Sequence, residues 1–154
     1  MKKSFYFIML ASVMALTFGC KKDDADSAKA SFSAKVEGTV WAAANITAMY
    51  QTGSNATSIT TFGTMPSEQI TLHFIGSETG TYTFGDLNLA SAVIGGNTFT
   101  TMFSDNPTGA IVITKYDMTN KKISGTFTFS GDNMDGDVFE VTEGKFENVD
   151  LVVM

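Results

Sequence analysis

Three residue types are nearly or wholly missing from this 154-residue chain: cysteine and histidine occur once each, and arginine does not occur. A single cysteine excludes an intrachain disulfide, so the fold must be stabilised by packing. Sixteen acidic residues against ten lysines give a formal net charge of −6. This charge argues against nucleic acid and anionic lipid head groups as partners, because both bind clustered Lys or Arg.

The amino terminus carries the most informative pattern. Lys2-Lys3 precedes the apolar run Phe5–Phe18, which has signal-peptide length and is too short to span a membrane as a helix. Gly19 and Cys20 follow, and the composition then becomes abruptly charged. The pattern resembles the signal of bacterial lipoproteins, in which the thiol is acylated and the chain is cut before the cysteine. It therefore predicts a signal peptide at residues 1–19 and lipidation, with palmitate, at Cys20.

This signal departs from the usual pattern in two ways. Leu16 lies one position too far upstream, and Phe18 is bulky where a small residue is usual. The alternative is an ordinary secretory signal cut after Gly19, which leaves Cys20 as a free thiol. If Cys20 is lipidated, two or three acyl chains hold the protein stably, since each buried CH₂ contributes about 0.8 kcal/mol.

The segment after the signal is small and charged. Residues 20–30 therefore predict a lipidated cysteine followed by a flexible tether, and 31–154 a single domain. Cys20–Asp24 resembles the signal that sends such lipoproteins to the outer face of the outer membrane; the alternative is a solvated linker. Asp26-Ser27-Ala28 resembles a short bacterial O-glycosylation sequon. Ser27 is thus a candidate glycosylation site, or else an ordinary linker serine.

Alternation of apolar and polar residues recurs from Ser31 onward, with the period of β-strands. Ile123, Gly125 and Phe127, for example, alternate with Ser124 and Thr126. Turn signals separate such runs at intervals of roughly ten residues. The sequence predicts an all-β domain: an antiparallel meander of about nine or ten short strands forming a β-sandwich or a flattened β-barrel.

Three local features qualify this pattern. Gly144 interrupts the alternation between Val141 and Phe146, which predicts a β-bulge. Asp135-Gly136 favours the positive φ of a tight hairpin. Beyond a weak segment at Leu87–Val93, no stretch of any length has the period of a helix.

Three segments together resemble a family of small Bacteroidota outer-membrane lipoproteins of uncharacterised function. They are Phe32–Trp41 (FSAKVEGTVW), Ile123–Phe129 (ISGTFTF) and Val141–Phe146 (VTEGKF), and they span most of the domain. The resemblance implies an all-β exported domain. It carries over no catalytic residue.

Aromatic residues with a polar atom are the best candidates for ligand binding. Exposed together, they would form a platform on which a sugar ring stacks; they are Trp41, Tyr50, Tyr82 and Tyr116. The alternative for Trp41 is a buried position in the core.

Catalytic and metal sites have weak support. His73 lacks a nucleophile or an orienting carboxylate nearby in the sequence, and one histidine is too few for zinc. Asp132, Asp135 and Asp137 are a weak calcium candidate, but their spacing does not fit an EF-hand loop, and a solvated hairpin tip explains them as well. We therefore expect no enzyme, no cofactor and no resident metal.

Taken together, these patterns predict a non-catalytic, membrane-anchored lipoprotein with a binding or envelope-structural role on the cell surface. Its expected partners are the membrane, through the lipid, and envelope proteins or glycans. The alternative is a carrier of a small apolar molecule or a glycan, which would use a barrel interior or an aromatic platform.

Overall fold

A computed structural model describes residues 29–154 apart from 66, 103 and 105. The described residues form ten strands and no helix, which confirms the all-β prediction. The signal peptide, Cys20 and Ser27 lie outside the described residues. The strands are β1 (Ser31–Val36), β2 (Thr39–Gln51), β3 (Ala56–Gly63), β4 (Gln69–Ile75), β5 (Gly80–Thr83), β6 (Leu89–Ile94), β7 (Asn97–Thr100), β8 (Thr108–Asp117), β9 (Lys122–Asp132) and β10 (Val138–Val153).

The strands form where apolar residues alternate with polar ones. In β9, Ile123, Phe127 and Phe129 are buried while Thr126 and Thr128 are exposed on the opposite face. A strand turns successive side chains to opposite faces, so this alternation buries one face of the sheet. The other strands with clear alternation, β1, β4 and β10, bury their apolar residues in the same way.

The ten strands belong to one sheet that closes on itself. The run β10-β2-β3-β4-β6-β7-β9 returns to its start because β9 also pairs with β10. Strand β1 pairs with both β10 and β2, whereas β8 and β5 extend from β9. The pairing is antiparallel except where Leu151–Val153 of β10 runs parallel to Ala48–Tyr50 of β2. The domain is therefore barrel-like. Most strands that are consecutive in the sequence are also paired in the sheet, as the predicted meander requires.

The middle of the chain departs from a simple meander. Strand β5 pairs with β8 rather than with β4 or β6, so the meander is interrupted there. The stretch Leu87–Val93 does not form a helix, because Leu89–Ile94 is strand β6, paired with β4 and β7. Ala90 and Ala92 are buried on one face of β6, and pairing on both edges outweighs a weak helical period.

The two ends of the barrel have different turns. The upper end carries the turns β1–β2, β3–β4, β6–β7 and β9–β10, and the lower end carries β2–β3, β4–β5 and β8–β9. Strand β1 runs from Ser31 towards the upper end. Lys29 and Ala30 lie beside Asn45 and Ile46 of β2, which runs in the opposite direction. Lys29 and Ala30 therefore lie beside the middle of β2, and β1 leads from there to the upper end.

Aromatic side chains fill the interior. Phe127 lies at the centre, with ring centroids 5.2 Å from Phe32 and 6.5 Å from each of Phe129 and Phe146. The largest side chains with almost no exposure include Phe74, Phe127, Phe129, Phe146, Ile59 and Leu72. Side chains thus occupy the space that a hollow barrel would offer to a ligand.

The predicted bulge at Gly144 is confirmed. The register of β10 against β9 shifts between Val141 and Gly144, and Glu143 has a φ of +49°. A Cβ placed on Gly144 would lie 2.5 Å from the ring of Phe127. Glycine is needed there because the central aromatic ring packs directly on the backbone. The predicted positive φ at Gly136 is also confirmed, at +83°.

Asp117 organises the turn between β8 and β9. Its Oδ1 accepts hydrogen bonds from the backbone N–H groups of Thr119 (3.1 Å) and Asn120 (2.9 Å), and its Oδ2 from the Asn120 side-chain amide (2.9 Å). The Asn120 backbone N–H, followed by the Asn120 side-chain amide, holds the pKa of Asp117 below its ordinary value of 3.8. These bonds therefore favour the ionised carboxylate of the folded state.

This turn makes stability depend on pH in a defined direction. A lowered folded-state pKa contributes stability that is present above pH 3.8 and lost as the pH falls through the folded-state pKa. We expect Asp117→Asn to lower the melting temperature at about pH 7, and this deficit to shrink below pH 3.8. Thermal unfolding followed by circular dichroism measures both. A deficit of equal size at neutral and at strongly acidic pH would contradict the assignment.

Candidate functional site

Three of the four candidate aromatic residues lie together at the lower end of the barrel. Tyr50 and Tyr116 meet edge to face, with ring centroids 6.2 Å apart, and Tyr82 packs on Phe74 at 4.5 Å. The pKa of the Tyr116 hydroxyl is raised above its ordinary value, mainly because the group is partly buried. The hydrogen bond with Thr57 lowers this pKa, whereas the nearby Tyr50 and Tyr82 raise it further.

Protein groups already satisfy the hydroxyls of this tyrosine cluster. The Tyr50 hydroxyl donates to Asn55 Oδ1 at 3.0 Å, and the Tyr82 hydroxyl donates to the Glu78 carbonyl at 3.0 Å. The Tyr116 hydroxyl lies 2.8 Å from Thr57 Oγ1, which itself donates to the Gly76 carbonyl. The rings meet edge to face and are partly buried, so they do not present the flat, open faces that stacking of a sugar requires.

Trp41, the fourth candidate, lies at the upper end in the wall of a pocket. The pocket has a volume of about 230 Å³ and opens to the surface. It lies between the turns β1–β2, β3–β4 and β6–β7. Its lining includes Val36, Val40, Trp41, Met65, Glu68 and Ile94, and it is called the upper pocket below.

Glu68 is the polar group of the upper pocket. The Trp41 Nε1–H donates a hydrogen bond of 2.9 Å to Glu68 Oε2, and both residues are buried, with exposures of 8% and 6%. Among the described residues, no buried side-chain oxygen lacks a hydrogen-bond partner. Glu68 Oε1 accepts no hydrogen bond from a described residue, and the Glu68 side chain lines the upper pocket.

The backbone of the β3–β4 turn holds this glutamate in place. The Gly63 N–H donates to the Glu68 carbonyl at 2.9 Å, and the Glu68 N–H donates to the Met65 carbonyl at 3.3 Å. A Cβ on Gly63 would lie 2.5 Å from Glu68 Oε2 and 2.9 Å from Trp41 Cζ2. The absence of a side chain at Gly63 therefore makes room for the Trp41–Glu68 pair.

The acidic loop at the β9–β10 turn is organised by an amide. Asn133 Oδ1 accepts from the backbone N–H groups of Asp135 (2.9 Å) and Asp137 (2.8 Å), and Asn133 Nδ2 donates to Asp137 Oδ2 at 3.0 Å. Within residues 29–154, the described His, Cys, Asp and Glu side chains form no group of three suited to a metal ion. Asp132, Asp135 and Asp137 are therefore not brought together as calcium ligands.

The structure gives His73 a neighbour that is distant in the sequence. Ser58 and His73 are opposite each other on β3 and β4, and Ser58 Oγ lies 2.9 Å from His73 Nδ1. No described carboxylate bonds to the histidine. The pair supplies two members of a Ser-His-Asp arrangement without the group that orients the histidine.

Comparison with known families identifies the domain. Residues 28–150 match a family described as a domain of unknown function, DUF6252. The chain belongs to the DUF6252 family. The match covers the upper pocket and the tyrosine cluster, so both lie within the DUF6252 domain.

Two further comparisons find no related protein. Neither the curated proteins nor the solved structures contain a match to this chain. In the part of the chain that the structure describes, no helix has the length and apolar character needed to cross a membrane.

Proposed function

We propose that this chain is an exported, lipid-anchored Bacteroidota lipoprotein of the outer membrane. In this proposal it displays an acidic β domain on the cell exterior, for binding or for envelope structure, and catalyses no reaction. The observation that carries the proposal is the position of Cys20, directly after a lysine-led apolar run and before a charged segment.

The tether determines how far from the membrane the proposed anchor can hold the domain. Between Cys20 and Ser31, ten residues can span at most about 35 Å when fully extended. The last two of them, Lys29 and Ala30, lie beside Asn45 and Ile46 of β2. With an anchor at Cys20, the tether would hold the domain within about 35 Å of the membrane.

The packed interior supports this function over a carrier that uses the barrel interior. Such a carrier needs several hundred Å³ of enclosed space. The centre of this barrel holds Phe127, Phe129 and Phe146, each with an exposure of at most 2%. A binding role for the domain is thus better placed on its surface, at the upper pocket.

Trypsin treatment of intact cells tests the display. Lys21 and Lys22 lie directly after the proposed anchor, and trypsin cleaves after lysine. We expect trypsin to release the domain from intact cells into the supernatant as a nearly full-length fragment, because the paired strands resist cleavage. Immunoblotting of cells and supernatant measures the release.

The control for this experiment is the same trypsin treatment of cells whose outer membrane has been opened by osmotic shock. A periplasmic protein must stay uncut in the intact sample and be cut in the opened one. If the domain is released only after opening, it faces the periplasm and the proposed surface display is wrong.

A further inference from the structure

The upper pocket contains a buried carboxylate without a cationic partner. Glu68 is 6% exposed, and none of the ion pairs among the described residues includes it. Among the described residues, the one donor to the Glu68 side chain is the neutral indole N–H of Trp41. Buried charges in proteins are usually paired, since removing a charge from water is costly. A ligand that carries a positive charge would supply the missing partner.

The walls around this carboxylate are apolar. Val40 and Met65 form the rim and are 75% and 62% exposed, although most residues of their size and type are buried. The Trp41 ring and Ile94 lie deeper in the upper pocket. Its volume of about 230 Å³ exceeds the 150 Å³ cavity that holds benzene in another protein, so it suits a molecule with one ring.

We propose that the upper pocket binds a small primary amine with an apolar, single-ring body. The ammonium group pairs with Glu68 Oε1, and the body contacts Trp41, Met65 and Ile94. A cation beside an indole ring gains further attraction from the ring electrons. The charge of the domain acts in the same direction, because residues 31–154 contain thirteen acidic residues and five lysines, a formal charge of −8.

This inference names a ligand class for the binding role proposed above. It depends on that role but not on the lipid anchor, the export signal or the side of the membrane. The experiment below uses purified protein, so its result is independent of the trypsin experiment, and failure of one leaves the other standing.

The single tryptophan of the chain reports on the site directly. The mature chain from Cys20 onward, labelled with ¹⁵N and held in non-ionic detergent, has one indole N–H resonance, that of Trp41. Titration with 2-phenylethylamine is expected to shift this resonance in a saturable way, because the amine reaches the carboxylate that accepts its hydrogen bond. The uncharged analogue 2-phenylethanol is expected to bind at least about tenfold more weakly.

Three variants separate charge from shape. Glu68→Gln keeps an acceptor for Trp41 and removes the charge, and should weaken amine binding at least about tenfold. Val40→Lys places a cation on the exposed rim, where it repels the amine with little risk to folding. Glu147→Gln makes the same change of net charge as Glu68→Gln at an exposed position far from the pocket, and should leave the affinity unchanged.

The possible results decide the proposal. Selective loss of amine binding in Glu68→Gln and Val40→Lys, with binding kept in Glu147→Gln, supports it. Equal affinities for the amine and the alcohol overturn it, as does an indole resonance that does not move. If Glu68→Gln fails to fold, Val40→Lys alone still decides, since undiminished amine binding in that variant contradicts the placement of the site.

Discussion

Cys20→Ala is expected to abolish incorporation of labelled palmitate and to move the protein from the membrane fraction to the soluble fraction. The reason is chemical, because Cys20 carries the one thiol of the chain and no other residue can form the thioether with a diacylglyceryl group. Without acyl chains, the domain has only an acidic surface to offer to anionic lipid head groups, which repel it. Membrane association should therefore fall to the background of the assay.

Ser27→Ala provides the matched control, since it lies seven positions further along the same charged segment. It should keep the label and the membrane association. The intact mass of that variant also tests glycosylation, because removing a glycan lowers the mass by more than one oxygen. Undiminished label in Cys20→Ala would refute lipidation at Cys20, and absence of label from the unmutated protein would favour a secretory signal cut after Gly19.

Phe127→Ala is expected to destabilise the domain by about 3–5 kcal/mol. Phe127 is 2% exposed, contacts Phe32 from β1 and Phe146 from β10, and packs on the backbone of Gly144. Removing its ring leaves a cavity between several strands, which close-packed neighbours fill only in part. Whole domains are stable by roughly 5–15 kcal/mol, so this loss is a large fraction of the total.

Urea unfolding followed by circular dichroism measures this loss, with the slope of the transition checked for a change in the unfolded state. Phe62→Ala removes the same ring from a position that is 47% exposed, and should cost much less. Equal losses for the two variants would mean that Phe127 does not occupy the centre of a packed interior.

Local patterns account for the part of the fold that could be predicted from the sequence. The alternation around Phe127 predicts β9 and its buried face correctly. The interruption at Gly144 predicts the bulge in β10. Both are properties of a few neighbouring residues, and strand period and backbone freedom act at that range.

Pairings between distant segments could not be predicted in this way. Nothing in Gly80–Thr83 indicates that β5 pairs with β8, and nothing in Leu151–Val153 indicates a parallel partner in β2. Such pairings depend on which edges remain free once the hairpins have formed. The weak helical period at Leu87–Val93 produces no helix for a related reason, since tertiary pairing outweighs local preference.

The candidate site was predicted in part. Trp41 was named both as a stacking residue and as a core residue, and it is a buried residue in the wall of a pocket. Glu68 was missed, because a glutamate between Ser67 and Gln69 has the sequence context of an exposed turn. Its burial comes from Trp41, which lies 27 positions away. The nearest sequence signal is Gly63, whose missing side chain makes room for both.

Strand β10 also determines when this domain can complete its folding. It is the last described strand in chain order, yet it pairs with β1, β2 and β9. One edge of β1 pairs at once with β2, but the other edge waits for a partner more than a hundred residues later, as in Ser31 with Glu147. Such high contact order slows folding to milliseconds or longer. Under the proposed export, a chain that is still crossing the membrane could not close its barrel, so it would stay unfolded enough to pass through until translocation is complete.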